Sequence, residues 1–326
     1  MRAPRLFAAL AFAVTTALAG AAHAQTIAGA PPALRDPAAA GMCGVAEPVR
    51  VKDVPDGNQV QAGALVIQPT WDATITSRPG WQAVIQQAIN EWQGTILDNG
   101  CSRNPLPIYF RAVPLGGFLG FTQSLVYLSN GCMFADTIGF DPAFTWFVDS
   151  TPANSSEFDG TSPAPAGFDL LTVARHEIGH AVGWGFQTPT NNLMSGSTFD
   201  ANRLNVPVGG GTGMHTDSTW THGGLMDPAV PQSVRRAIAL YPDAAMIARA
   251  YGGNIPMTFV DPTVGGAGAG TAADPYQSFA IANSFAPAGW PLLLANGSVS
   301  HVVNGYLTGI ARTWMAARGG ASVVAP

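Results

Sequence analysis

His176, Glu177 and His180 open the run HEIGHAVGWGF, residues 176–186. On an α-helix, residues four apart share a face, so the two histidines can reach one metal ion. Glu177 lies beside them and can handle the proton of a metal-activated water without being a ligand. The chemistry this suits is hydrolysis of a polarised carbonyl, with the carboxylate passing its proton to the leaving amine. A catalytic zinc site normally has three protein ligands and one open position. The extended pattern HExxHxxGxxH would put the third ligand at position 186, where this chain has Phe186. Two histidines remain to supply it, His215 and His222. His23 precedes the mature chain and His301 lies far off in the tail. A bare HExxH also fits a polar helix with two surface histidines. Here Gly179 and Gly183 stand within the run, and four of the six histidines fall between His176 and His222.

These side chains need a rigid helix, and the sequence supplies its ends. Asp169 is placed to cap LLTVARHEIGHAV, and Gly183 to stop it. Upstream, WQAVIQQAINEWQGTIL spaces Trp81, Val84, Ile85, Ala88, Ile89, Trp92 and Ile96 by threes and fours. That pattern predicts an amphipathic helix ended by Asn99 and Gly100. PIYFRAV, SLVYLS and ADTIGFDPAFTWFVD read as short strands separated by Gly, Pro and Asn. A polar loop, STPANSSEFDGTSPAPAG, leads into the motif. A second long helix is predicted over PQSVRRAIALYPDAAMIARAYG, residues 231–252. Helix, strands and then a site helix predict an α+β domain with its site in a cleft. The domain spans residues 71–255, and a β-rich segment follows over 256–326. In that segment the VDP…GTxxDPY element resembles the opening coils of right-handed parallel β-helix proteins. A plain strand cluster packed on the domain is the other reading.

HEIGHAVGWG resembles the zinc helix of the metzincin metallopeptidases, in which the glycine permits a sharp turn. The resemblance implies a downstream Met-turn, a loop whose methionine lies beneath the metal. Met194 in NNLMSG and Met226 in GGLMDP are the two candidates. Met226 is preferred, because Pro228 and a predicted helix follow it, as in that family. This choice points to the leishmanolysin-like subgroup, which inserts a long segment before its third histidine. NVPVGGGTGMHTDSTWTHGGLMDP resembles that approach, although Thr216 stands where an aromatic residue usually follows the histidine. The chain also lacks the cysteine-dense domains of the protozoan enzymes, which implies a compact bacterial-type relative. On this resemblance the zinc ligands are His176, His180 and His215, with His222 as the alternative third. His215 stands eleven residues before Met226, an interval similar to the family's, whereas His222 stands four before it. Gly209 to Gly213 give the chain freedom to approach.

The first 24 residues read as a cleavable export signal. Arg2 and Arg5 precede an apolar stretch from Leu6 to Ala19, and Ala22-His23-Ala24 offers a cleavage site after Ala24. Residues 25–70, rich in Ala, Pro and Gly at their start, read as leader and linker. A secreted or periplasmic protein without a transmembrane anchor is expected. The formal charge is −5, from 15 basic and 20 acidic residues. Without Arg2 and Arg5 the basic residues number 13, giving −7. With Lys52 the only lysine and no basic run, nucleic acid and anionic membranes are excluded as expected partners. Charged residues make up 11% of the chain beside 38 Gly and 26 Pro, a composition for loops with small polar residues.

Of three cysteines, Cys101 and Cys132 flank one apolar block and are the expected disulfide, leaving Cys43 over. GMCGVAEP around Cys43 resembles the matrixin leader motif, in which a thiolate fills zinc's open position until the leader is removed. It lacks the arginine before the cysteine and the proline-aspartate after it. A disulfide from Cys43 to Cys101 or Cys132, or an idle thiol, is the alternative.

The expected function is an exported endopeptidase using one catalytic Zn2+, acting on protein or peptide. The alternative is a zinc-stabilised, non-catalytic protein whose tail binds a surface or glycan. A glycan-active tail has only Asp261 and Asp274 to offer, both in turn contexts.

Overall fold

Leu106, Ile108, Phe110 and Ala112 are buried while the residues between them are half-buried. This period of two makes Leu106–Ala112 a strand with one face against the core. It belongs to a mixed six-stranded sheet in the computed structural model, which describes residues 40–46, 63–98, 100, 104–127, 133–160, 163–185, 192–201, 204–209, 215–217, 219 and 224–261. Beyond these it describes 263–266, 268–278, 281–282, 285–287, 290–295, 300–302, 314–316 and 322–324. All lie within one compact unit, Asp36–Pro326. The segment read as an export signal, Cys101, Cys132, Phe186 and His222 fall outside the described residues.

In chain order the sheet's strands are β1 (Ala40–Ala46), β2 (Ile67–Trp71), β3 (Leu106–Ala112), β4 (Phe118–Tyr127) and β5 (Met133–Phe140). Short strands β6 (Trp146–Phe147), β7 (Phe168–Asp169), β8 (Met194–Ser195), β9 (Thr198–Phe199), β10 (Val206–Gly209) and β11 (His215–Thr216) follow. Strand β12 (Ala229–Pro231) closes the main sheet, whose order is β12-β1-β4-β5-β3-β2. A second sheet, β11-β10-β9-β8, carries His215 at its end. Strand β4 runs antiparallel to β5 but parallel to β1.

Helix α1 (Ala73–Thr76) is a single turn capped by Asp72. Helix α2 (Trp81–Thr95) buries Trp81, Val84, Ile85, Ala88, Ile89 and Trp92, the face its spacing predicts. It stops at Thr95, four residues before Asn99. Helix α3 (Leu170–Ala181) packs against α2, β4 and β5 and is buried on every side. A helix buried all round needs satisfied polar groups, and Trp92 Nε1 meets this by donating to the Arg175 carbonyl at 2.8 Å.

Two expectations change here. The long helix predicted for residues 231–252 is confined to α4 (Ala245–Tyr251), preceded by a π-type turn, Leu240–Ala244. Before it the chain is an extended strut. Ser233 takes a positive φ of 60°, and its amide bonds the Gly167 carbonyl rather than a helical partner. Pro242 has no amide to give. The other change is in the leader, where residues 40–46 form a strand inside the sheet. Small side chains gave no alternation to read there. Backbone pairing with strands on both sides makes the strand.

The main core continues into Met257, Phe259, Ala272 and Leu293, so the start of the tail shares it. The tail strands are β13 (Thr258–Val260), β14 (Leu292–Leu294), β15 (Ser300–Val302), β16 (Trp314–Ala316) and β17 (Ser322–Val324). They pair in parallel as β13-β14-β16 and β15-β17. Leu292 pairs with Trp314 and Ser300 with Ser322, a 22-residue offset in both cases. Among the described residues, no helix is long and apolar enough to cross a membrane.

The strut is pinned by Arg235, whose guanidinium forks onto Asp169 at 2.8 and 3.1 Å and reaches Asp149 at 2.7 Å. All three side chains are nearly fully buried. Removing the cation strands two buried carboxylates, so Arg235→Ala should cost about 3–5 kcal/mol, read from urea unfolding. A loss under about 1 kcal/mol would show the pair to be dispensable.

Candidate metal centre

Helix α3 begins where the Asp169 carboxylate accepts from the Thr172 amide at 3.0 Å and its hydroxyl at 2.7 Å. Its last residue is Ala181, and the chain reverses at Gly183, whose φ of +124° favours glycine. A Cβ there would lie 2.4 Å from the Tyr251 ring. The reversal turns the Trp184 carbonyl back onto His180.

His176 and His180 project together from α3, and β11 brings His215 against them. The ring centroids are 4.8, 5.2 and 5.0 Å apart for the pairs 176–180, 176–215 and 180–215. One nitrogen from each ring lies within 4.8 Å of the others, a group that could hold a metal ion. The third histidine is therefore His215 among the described residues, and Phe186 needs no replacement on the helix.

Tautomers follow from the partners. His176 Nδ1 lies 2.7 Å from the Leu225 carbonyl and His180 Nδ1 2.8 Å from the Trp184 carbonyl. Carbonyls only accept, so each Nδ1 carries the proton. The two Nε2 atoms, 3.0 Å apart, then face each other as lone pairs. His215 Nε2 is buried with no hydrogen-bond partner among the described residues. Two inward lone pairs this close repel each other unless a cation lies between them. Burial, and then the neighbouring rings, hold His176 and His180 well below the usual imidazole range. Burial alone takes His215 to about 4. All three are in the neutral form that ligates metal. The donor set fits a metal ion.

Glu177 lies next to this group. Thr122 Oγ1 stands 2.7 Å from Glu177 Oε2 and 2.9 Å from the Glu177 carbonyl, with one proton to share between them. Gly120 makes the room, since a Cβ there would sit 2.6 Å from Glu177 Oε1. Burial pushes the carboxyl up to about 8, against the pull of Thr122 and the Cys43 thiol. Among the described residues Oε1 has no other hydrogen-bond partner.

Cys43 is a free, buried thiol on β1. Its Sγ, a His176 nitrogen and a Glu177 oxygen lie within 4.8 Å of one another. Burial, and then the Glu177 charge, push the thiol's pKa well up. The disulfide alternative for Cys43 does not occur.

Met226 is fully buried against α3. Gly179 permits this contact, because a Cβ there would be 2.7 Å from Met226 Sδ. Met194 sits half-buried on β8. Thr216, where the resemblance leads one to expect an aromatic, bonds the Met226 loop twice. Its amide donates to the Met226 carbonyl at 3.0 Å and its hydroxyl to Asp227 at 2.7 Å.

Sequence reading missed Thr122, Gly120 and the Leu225 and Trp184 carbonyls. Thr122 and Gly120 sit in an apolar strand with no motif, and main-chain carbonyls have no residue signature. No protein-family model matches the chain, and no curated protein matches it.

The three-histidine arrangement predicts that His215→Ala loses bound metal while His222→Ala keeps it. Metal analysis after dialysis reads this. Full metal in His215→Ala with loss in His222→Ala would reverse the ligand choice.

Proposed function

We propose that the chain is an exported zinc endopeptidase of the metzincin type, held latent by its own leader strand. The observation that carries this reading is the convergence of three neutral imidazoles beside a carboxylate that is not itself in the ligand group. His176, His180 and His215 would hold the ion, and Met226 packs against α3, the helix of the first two. Zinc bound there would polarise a peptide carbonyl and acidify a water.

The chain's own residues do the rest. The Leu225 and Trp184 carbonyls fix two rings in the ligand tautomer. Glu177, steadied by Thr122, takes a proton and returns it to the leaving amine. A protein that merely stores or is stiffened by zinc has no need of a carboxylate at this place, nor of Gly120 to clear space for it.

A polypeptide substrate is favoured by the strand that lies over the buried site. Strand β1 lies between β4 and β12, pairing with both. Its departure leaves two strand edges facing a gap one strand wide, a template for an extended peptide. While β1 is present, Cys43 covers Glu177 and His176. A thiolate is also a good zinc ligand and would take the open position. The leader thus blocks base, metal and groove together.

Glu177→Gln should retain metal and lower casein cleavage at least about 100-fold, in line with removal of a general base. A chelator should abolish wild-type cleavage. Cys43→Ser in the full-length chain should raise basal cleavage severalfold, since a hydroxyl is a poorer zinc ligand. Cleavage that survives both Glu177→Gln and the chelator would refute the mechanism.

A further inference from the structure

We infer that Arg236 is the positioning residue of the metal centre, the clamp that fixes the Met226 loop to helix α3. This rests on reading the three histidines as a zinc site.

The strut before α4 passes between the helix and the loop, and Arg236 bonds to both. Its amide donates to Thr172 Oγ1 at 2.8 Å, in the first turn of α3. Its carbonyl accepts from Arg175 Nη1 at 2.6 Å, on the residue before His176. The main chain of Arg236 is thereby stitched to the helix on both sides. Its guanidinium points the other way. Nη1 donates to the Gly224 carbonyl and Nη2 to the Ala229 carbonyl, each at 2.8 Å. These two carbonyls bracket Leu225, Met226, Asp227 and Pro228.

Each bracketed residue serves the centre. Leu225 supplies the carbonyl that orients His176. The Met226 carbonyl and the Asp227 carboxylate hold Thr216, next to His215. The Pro228 carbonyl accepts from the Cys43 amide at 2.8 Å, so the loop also seats the leader. Two of the three histidines and the latency strand thus take their places from one loop, and Arg236 sets that loop against the helix. The residue is buried and its Nε has no hydrogen-bond partner among the described residues. A buried guanidinium with an unspent donor is a costly way to fill a core. Its planar fork, however, presents two donors in a fixed geometry, one to each carbonyl, which a flexible ammonium does not.

The test uses the full-length protein and the metal alone. Zinc affinity is measured by chelator competition, the visible spectrum of the cobalt(II)-loaded form reports ligand geometry, and metal-free thermal unfolding reports the fold. Arg236→Lys should unfold within a few degrees of wild type, bind zinc about 10–100-fold more weakly, and shift the cobalt bands. Arg235→Lys, at the neighbouring buried arginine, should lower stability and leave zinc affinity and cobalt bands unchanged. Wild-type zinc affinity and cobalt spectrum in Arg236→Lys would overturn the inference. If Arg236→Lys does not fold, Arg236→Gln, which keeps one carbonyl donor, takes its place, and failure of both to fold makes the residue merely structural and overturns the inference as well. A wild-type chain that binds neither zinc nor cobalt would instead bring down the zinc reading beneath it.

Discussion

Two imidazole Nε2 atoms 3.0 Å apart, both bearing lone pairs, are the constraint from which the rest of the centre follows. Each ring is locked in that tautomer by a main-chain carbonyl, and neither can relieve the repulsion by turning. His180 depends on the reversal at Gly183, which aims the Trp184 carbonyl at it. His176 depends on the loop carrying Leu225. The third ring, His215, arrives on a two-residue strand held by Thr216 to that loop. Such an arrangement is unstable as a packed core and stable as a cation's cage. Gly179 and Gly120 serve the same end, one letting Met226 close on the helix and the other letting Glu177 lie beside the cage.

The cage shares its boundary with a strand from the start of the chain. Strand β1 runs parallel to β4 and antiparallel to β12, so the sheet is continuous only while that segment stays in place. Cys43 stands on it at the level of Glu177 and His176. One segment thus completes the sheet and brings Cys43 against His176 and Glu177.

Local signals made part of this legible. Histidines at i and i+4, the Asp169 cap and the Gly183 stop all act within one or two helical turns, and the sequence displays such short-range physics directly. His215 was separable from His222 only through a family-like interval to Met226, and the structure brings it to the other two rings. Long-range pairing hid the remainder. The segment 231–239 has helical spacing, but Ser233, Arg235 and Arg236 find better partners in Gly167, Asp169, Thr172 and the loop carbonyls than a helix would give them. Residues 40–46 carry no alternation because most of their side chains are small, and backbone pairing on both sides makes the strand. Thr122 shows the same limit, its role depending on a helix 55 residues away.

Anomalous diffraction at the zinc edge from crystals of the full-length protein tests the central claim most directly. One peak is expected, enclosed by His176, His180 and His215 and about 2.0–2.1 Å from a nitrogen of each. A map with no peak there, or a peak ligated by His222 in place of His215, would contradict it.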